Sequence, residues 1–260
     1  MQRYVFFRIF AKKFIMKKPF ILEICADNIE SCLIAQSAGA ARVELCTNLA
    51  EGGTTPSYGL IEEAQWMLKE TKLHVLIRPR GGDFFYNKRE FEIMGSDVSR
   101  CEEFRCDGVV FGILNSDGTV DMERNRELVE FAKAWGMEAT FHRAFDHCVD
   151  MFQSLEDVIS LGFDRILTSG GKRTALEGAE TIAQLIKQAN DRIIIMPGAG
   201  ITPENFAEII EKTGATELHG TFRSLKQSEM QYKKPEFIDE YDYWLADTGK
   251  IKEVCKTTTT

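Results

Sequence analysis

No stretch of this chain is apolar for long enough to cross a bilayer, which excludes a protein built on helical membrane spans. It has no Cys-x-x-Cys pair, no methionine-rich tract and no histidine-rich tract, so spacing alone announces no metal site. Positive charge is in short supply as well: 32 lysines and arginines face 40 acids, a net charge of −8. Such a surface repels phosphate backbones and anionic headgroups, which sets aside nucleic acid and membrane surfaces as partners. No secretory signal is read, and the seven cysteines, an odd number without regular spacing, point to reduced thiols and a cytoplasmic location. Cys32, Cys101, Cys106 and Cys148 are expected to be small buried or half-buried hydrophobes.

What is present is an ordinary globular composition, 44% hydrophobic and 28% charged over 260 residues, enough for one large α/β domain or two small ones. The opening segment MQRYVFFRIFAKKFI is basic and aromatic and contains no acid. Arg8 interrupts its apolar stretch and no small-residue cleavage site follows, so residues 1–15 read as a dispensable extension. Met16 is then expected to open a single domain running to residue 260, with a frayed tail at Thr257–Thr260.

From Pro19 onward, short apolar runs alternate with longer amphipathic segments. Strands are predicted at Ile21–Ala26, Arg42–Cys46, Leu73–Arg78, Gly108–Ile113, Glu138–His142, Arg165–Thr168, Arg192–Met196 and Glu217–Gly220. Tyr58–Glu70, Met122–Trp135 and Leu176–Ala189 read as helices between them. Gly39, Gly136, Gly162 and Gly214 stand where helices stop. Ser57, Asp121 and the Thr202-Pro203-Glu204 run stand where helices start. The alternation means βαβ units and a parallel sheet. A doubly wound sheet usually carries G-x-G-x-x-G after its first strand, but here that strand ends Cys25-Ala26-Asp27-Asn28. Glycines gather after strands three, six and seven instead, which favours a closed α/β architecture, the (β/α)8 TIM barrel.

Side-chain alternation then assigns faces. Leu22, Ile24, Ala26, Val43 and Leu45 suit helix packing, while Glu23, Cys25, Arg42, Glu44 and Cys46 face the barrel axis. His74, Leu76, Arg78 and Arg80 share one phase, as do Thr140 and His142, and His219 lies near the end of strand eight. Buried charges need partners, and Glu23 and Glu44 are expected to face Arg78, with His142 and His219 close by. A structural ion network would satisfy that pattern. So would a site, and ionisable groups at the carboxyl ends of barrel strands favour the site. Glu23-Ile24-Cys25 and Glu44-Leu45-Cys46 are in phase on neighbouring strands, so the two sulfurs are expected to approach one another. Two thiolates suit Cu(I), and two inert core thiols fit the same spacing. Arg78-Pro79-Arg80-Gly81-Gly82 reads as an anion clamp. The loops holding Ser169-Gly170 and Gly198-Ala199-Gly200 read as a phosphate cradle at a helix N-terminus, or as plain tight turns.

The segments LEICAD, RVELCTNLAEGGTTPSYGLI, HVLIRPRGGDFFY, DGVVFGILNSDGTVD, TFHRAFD, DRILTSGGKRTALEGAETI, IIIMPGAGITPENF and ELHGTFRS follow one another from Pro19 to Ser224. In them the chain resembles the CutC copper-homeostasis family. The resemblance implies a (β/α)8 barrel, a cytoplasmic homo-oligomer, expected to be a dimer, and an association with copper. Copper ligands proposed for the family fall on Cys25 and Cys46, and its inward polar pattern on Glu23, Glu44, Arg78, His142 and His219. Ala199 stands where relatives often carry a third glycine.

Two functions follow. One is a Cu(I)-binding protein using Cys25 and Cys46. The other is an isomerase or lyase acting on a small anionic or phosphorylated metabolite. In it Glu23 or Glu44 would serve as acid or base, His142 would shuttle a proton, Arg78 would hold the anion, and Gly198 to Gly200 would cradle phosphate. The surplus of inward charge exceeds what a two-cysteine copper site requires.

Overall fold

The computed structural model describes residues 20–256; the extension at residues 1–15, the start at Met16 and the tail at Thr257–Thr260 lie outside the described residues. Eight parallel strands form one sheet in the order β7-β6-β5-β4-β3-β2-β1-β8. They are β1 (Ile21–Ala26), β2 (Arg42–Leu45), β3 (Lys72–Leu76), β4 (Gly108–Phe111), β5 (Glu138–Phe141), β6 (Arg165–Thr168), β7 (Ile194–Pro197) and β8 (Glu217–Gly220). β7 runs alongside β8 and closes the ring. Around it lie α1 (Ile29–Ser37), α2 (Tyr58–Met67), α3 (Lys88–Glu103), α4 (Met122–Ala134), α5 (Met151–Leu161), α6 (Ala179–Ala189) and α7 (Phe206–Thr213). The molecule is the (β/α)8 barrel expected of the sequence.

Local chemistry sets the element ends. Ser57 accepts from the Leu60 N–H and Asp121 from the Arg124 N–H, each capping its helix. Gly162 and Gly214 end α5 and α7 at φ +87° and +74°, a conformation L side chains resist. The expected cap at Thr202 is displaced. The Asn205 side chain accepts from the Thr202 N–H at 2.8 Å, and α7 begins only at Phe206. After β8 the chain adds a ribbon of β9 (Arg223–Lys226) and β10 (Tyr243–Ala246), then α8 (Thr248–Cys255). The ribbon leans on α1 through a bond from the Ala246 N–H to Ser31 Oγ, 3.1 Å. Its strands of four residues carry too little alternation to be seen in sequence.

The barrel has two interiors. Between sheet and helices lies an apolar annulus in which Leu22, Ile24, Val43, Leu45, Val75, Phe111 and Ile166 are all buried. Inside the ring, polar side chains replace apolar ones. Glu138 bonds Lys72 Nζ at 2.5 Å and Arg165 Nη1 at 2.7 Å. Arg165 Nε reaches Glu217 at 3.2 Å, and Arg42 bridges Glu217 to Glu23. Glu23 Oε1 meets His219 Nδ1 at 2.7 Å, and His219 Nε2 lies 3.8 Å from Glu44. Charges of alternating sign thus climb from the amino ends of the strands to their carboxyl ends. Gly108 makes room at the bottom: a Cβ there would stand 2.6 Å from His74 Nε2.

Arg42 holds two buried carboxylates at once, so Arg42→Met leaves Glu23 only His219 and Glu217 only Arg165. Urea denaturation is expected to show a loss of about 3–5 kcal/mol, whereas Arg192→Ala, which breaks the exposed pair with Glu156 and two surface bonds to the carbonyls of Gln188 and Ala189, shifts the midpoint far less. Equal stabilities for Arg42→Met and the parent would contradict the ladder.

Candidate functional site

A cavity of about 540 Å³ opens at the carboxyl ends of the strands, within the size range of small-molecule sites. Its floor is made by Cys25, Glu44, Leu76, Leu167 and His219, its wall by Arg78, Phe84 and His142. β1 and β2 pair with Cys25 opposite Glu44, which seats Cys25 Sγ 3.2 Å from Glu44 Oε2. Cys46, two residues further along β2, brings its sulfur to 3.7 Å from that of Cys25. A donor atom from each of Cys25, Glu44 and His219 lies within 4.8 Å of the others.

The floor is electrostatically tense. Burial would push His219 down, but the carboxylates of Glu44 and Glu23 outweigh it and hold the imidazole above its ordinary value. Burial lifts Glu44 and is only partly opposed by His219. Cys25 is raised by its sulfur neighbour Cys46, by burial and by the charge of Glu44. Glu23 goes the other way: despite burial, Arg42 and His219 hold it far below the carboxylate range. Fully buried and locked to both, Glu23 stands beneath the cavity and orients His219. Of the two acids expected at the site, Glu44 borders the cavity and Glu23 does not.

Several other expectations are corrected. Arg78 does not face Glu23 and Glu44. Its Nη1 donates to the carbonyls of Glu51 (2.8 Å) and Gly53 (2.7 Å), and its Nη2 to that of Gly82 (2.8 Å). Arg80 turns away from the cavity to Glu90 and Asp83 and pins its own loop. His142 is buried beside Arg78, and both burial and that charge push it down to about 3. It stays neutral near about pH 7, which suits a donor and not the expected proton shuttle.

The supposed phosphate cradle is already filled. The carboxylate of Asp146 accepts from the backbone N–H of Ser169 (2.9 Å) and Gly171 (3.0 Å) and from the hydroxyls of Thr168 (2.5 Å) and Ser169 (3.1 Å). Gly170 donates to Thr168 Oγ1. Gly198 gives its N–H to the Thr168 carbonyl, and a Cβ there would strike Leu167 Cδ1 at 2.5 Å; it is glycine for close packing. Of that set only Gly200 borders the cavity, next to Ala199, which adopts φ +78°.

Sequence reasoning missed Phe84, Arg143 and His147 at the mouth. Arg143 and His147 ride a single 3-10 turn, Arg143–His147, in which the Ala144 N–H donates to His142 Nδ1 at 3.2 Å. The signal for Arg143 was adjacency to His142 in TFHRAFD, and His147 follows that run directly.

Fold and cavity together define a TIM-barrel protein with a thiol, carboxylate and imidazole floor. The family model for CutC matches residues 20–224. A CutC family protein of Parabacteroides distasonis is 48% identical over 213 residues, 82% of this chain and 87% of that one. One from Chromobacterium violaceum is 49% identical over 214 residues, 82% and 85% of the two chains. The crystal structure of CutC from Streptococcus agalactiae, provisionally named for copper homeostasis, is 41% identical with a TM-score of 0.74, over 78% of this chain and 98% of that one. The chain belongs to the CutC family.

The histidines predict a pH dependence. His74, buried like His142, is also held down to about 3. The unfolded chain takes up these protons below about pH 6.5 while the folded one refuses them. Their contribution is intact above that pH and drains away toward 3. His219, raised, behaves oppositely: its contribution is intact at low pH and lost as pH rises through its folded value. Removing one refusing imidazole with His142→Gln is expected to flatten the fall of unfolding free energy between pH 6 and 4 by about 1.4 kcal/mol per pH unit. Denaturant titrations across that range giving an unchanged slope would refute it.

Proposed function

We propose that this chain binds Cu(I) at the cavity floor and serves copper handling in the cytoplasm. The supporting observation is the 3.7 Å separation of Cys25 Sγ and Cys46 Sγ. With metal–thiolate bonds of about 2.3 Å, that separation subtends an angle of about 107° at a shared ion. The pair therefore suits a bent two-sulfur chelate that needs a further ligand, and the imidazole of His219 and the carboxylate of Glu44 stand within reach of Cys25. Soft sulfur donors with one imidazole are a donor set for Cu(I). Family membership gives the same direction. A pair of identical subunits belongs to this reading too, supported by the exposed Leu225, Tyr243 and Trp244 of the added ribbon.

A second reading, an isomerase or lyase acting on a small anion, is favoured by Glu44, a cavity-bordering carboxyl raised by burial beside an imidazole. Among the described residues no lysine borders the cavity, so a Schiff base is not part of that reading.

Anaerobic titration against a chromogenic Cu(I) chelator tests the first reading. The reduced protein is expected to take up about one equivalent, and the Cys25→Ser, Cys46→Ser double variant to bind about a hundredfold more weakly or not at all. An unchanged affinity in the double variant defeats it.

A further inference from the structure

Arg78 is a buried cation without a counter-charge. It is 5% exposed; its guanidinium donates to the neutral carbonyls of Glu51, Gly53 and Gly82 and lies beside the neutral Tyr86 hydroxyl, with no ion pair among the described residues. Charges elsewhere inside this barrel are matched by partners of opposite sign, because unmatched burial is strongly unfavourable. A guanidinium has five N–H groups. Three are spent on the carbonyls, which leaves the Nε–H and one Nη2–H. Nε is buried and without a partner.

A second orphan donor borders the same cavity. His142 is 4% exposed, and its Nδ1 accepts from the Ala144 N–H, which assigns the ring proton to Nε2. Nε2 is buried and has no partner. Gly112 seats the ring, since a Cβ there would stand 2.8 Å from Nδ1. Phe84 ties the two groups together: its ring centroid is 5.0 Å from Arg78 Cζ and 4.9 Å from the His142 ring.

Several backbone amides read as a phosphate cradle are engaged, whereas those of Ala199, Gly200 and Ile201 beside the cavity donate to no group among the described residues. Those of Ser169 and Gly171 hold Asp146, that of Gly198 holds the Thr168 carbonyl, and that of Thr202 holds Asn205. On the wall made by Arg78 and His142 stand one positive charge and three unspent N–H groups. A single carboxylate supplies one negative charge and two acceptor oxygens, and the third donor calls for an oxygen on the neighbouring carbon. We propose that Arg78 and His142 form the recognition site for a 2-oxo or 2-hydroxy carboxylate. The guanidinium edge takes the carboxylate, His142 Nε2–H takes the 2-oxygen, and Phe84 covers one face. This deepens the small-anion reading by naming the ligand class, and it rests on that reading only in taking the cavity as a small-molecule site. It does not depend on copper at the floor.

Isothermal titration of the whole purified chain with lactate, pyruvate, acetate, lactamide and inorganic phosphate tests it. Lactate or pyruvate is expected to bind saturably. Acetate is expected to bind about fivefold more weakly for want of the third oxygen, and lactamide about tenfold or more for want of charge. Arg78→Gln is expected to lose about tenfold or more in lactate affinity. His142→Phe is expected to abolish the preference for lactate over acetate while leaving acetate binding intact. Lactate binding that persists in the Cys25→Ser, Cys46→Ser variant separates this site from the copper reading. If Arg78→Gln does not fold, lactamide on the parent and the His142→Phe preference decide. The proposal is overturned by no saturable binding of either acid, by lactamide binding as well as lactate, by phosphate binding more tightly than both acids, or by a lactate preference surviving in His142→Phe.

Discussion

The column of alternating charge inside the barrel governs everything above it. Glu138, Arg165, Glu217, Arg42, Glu23, His219 and Glu44 come from five strands, and each touches the next in line. None of the buried members is tolerable alone. A one-residue slip of β2 would turn Arg42 and Glu44 into the apolar annulus and bring Val43 and Leu45 inside. The column therefore works as a register lock. It also delivers His219 and Glu44 to the cavity floor, where Glu23 below helps to raise the imidazole's affinity for its proton.

The cavity is divided by the same logic. Its floor presents the Cys25 sulfur, with that of Cys46 behind it, a raised carboxyl and an imidazole, donors of the kind a soft cation prefers. Its wall presents a guanidinium without an ion pair and a neutral imidazole donor, groups of the kind an anion prefers. The floor donors come from β1, β2 and β8 and the wall donors from the ends of β3 and β5, and the loop carbonyls of Glu51, Gly53 and Gly82 hold Arg78 away from the acids. Without those carbonyls the arginine would have every electrostatic reason to fall toward Glu44 and close the space.

The fold was legible because strand alternation and helix caps are local. β1, β6 and β8 begin and end where their apolar runs do. Facing was legible for the same reason: Glu23, Cys25, Arg42, Glu44 and Cys46 point inward as their phase requires. Height along the axis was not legible. Arg78 shares a phase with His74 but stands above the acids, because strands in a barrel are staggered and the offset is set by contacts distant in sequence. Arg165 and Glu217, the links that complete the column, lie at the first residues of their strands, where sequence gives no sign of mutual contact. The Ser169-Gly170 loop was read as a cradle because its geometry is that of one; only the folded chain places Asp146, 23 residues earlier, into it.

That carboxylate has a consequence for how the protein meets a crowded cell. A loop that waits for phosphate changes shape with the supply of phosphorylated metabolites. Here the occupant is tethered to the chain and held by Thr168, Ser169, Gly171 and Arg143, so it cannot be diluted away or displaced by mass action alone. The Ser169–Gly171 loop therefore takes its shape from the chain itself and not from a bound phosphate.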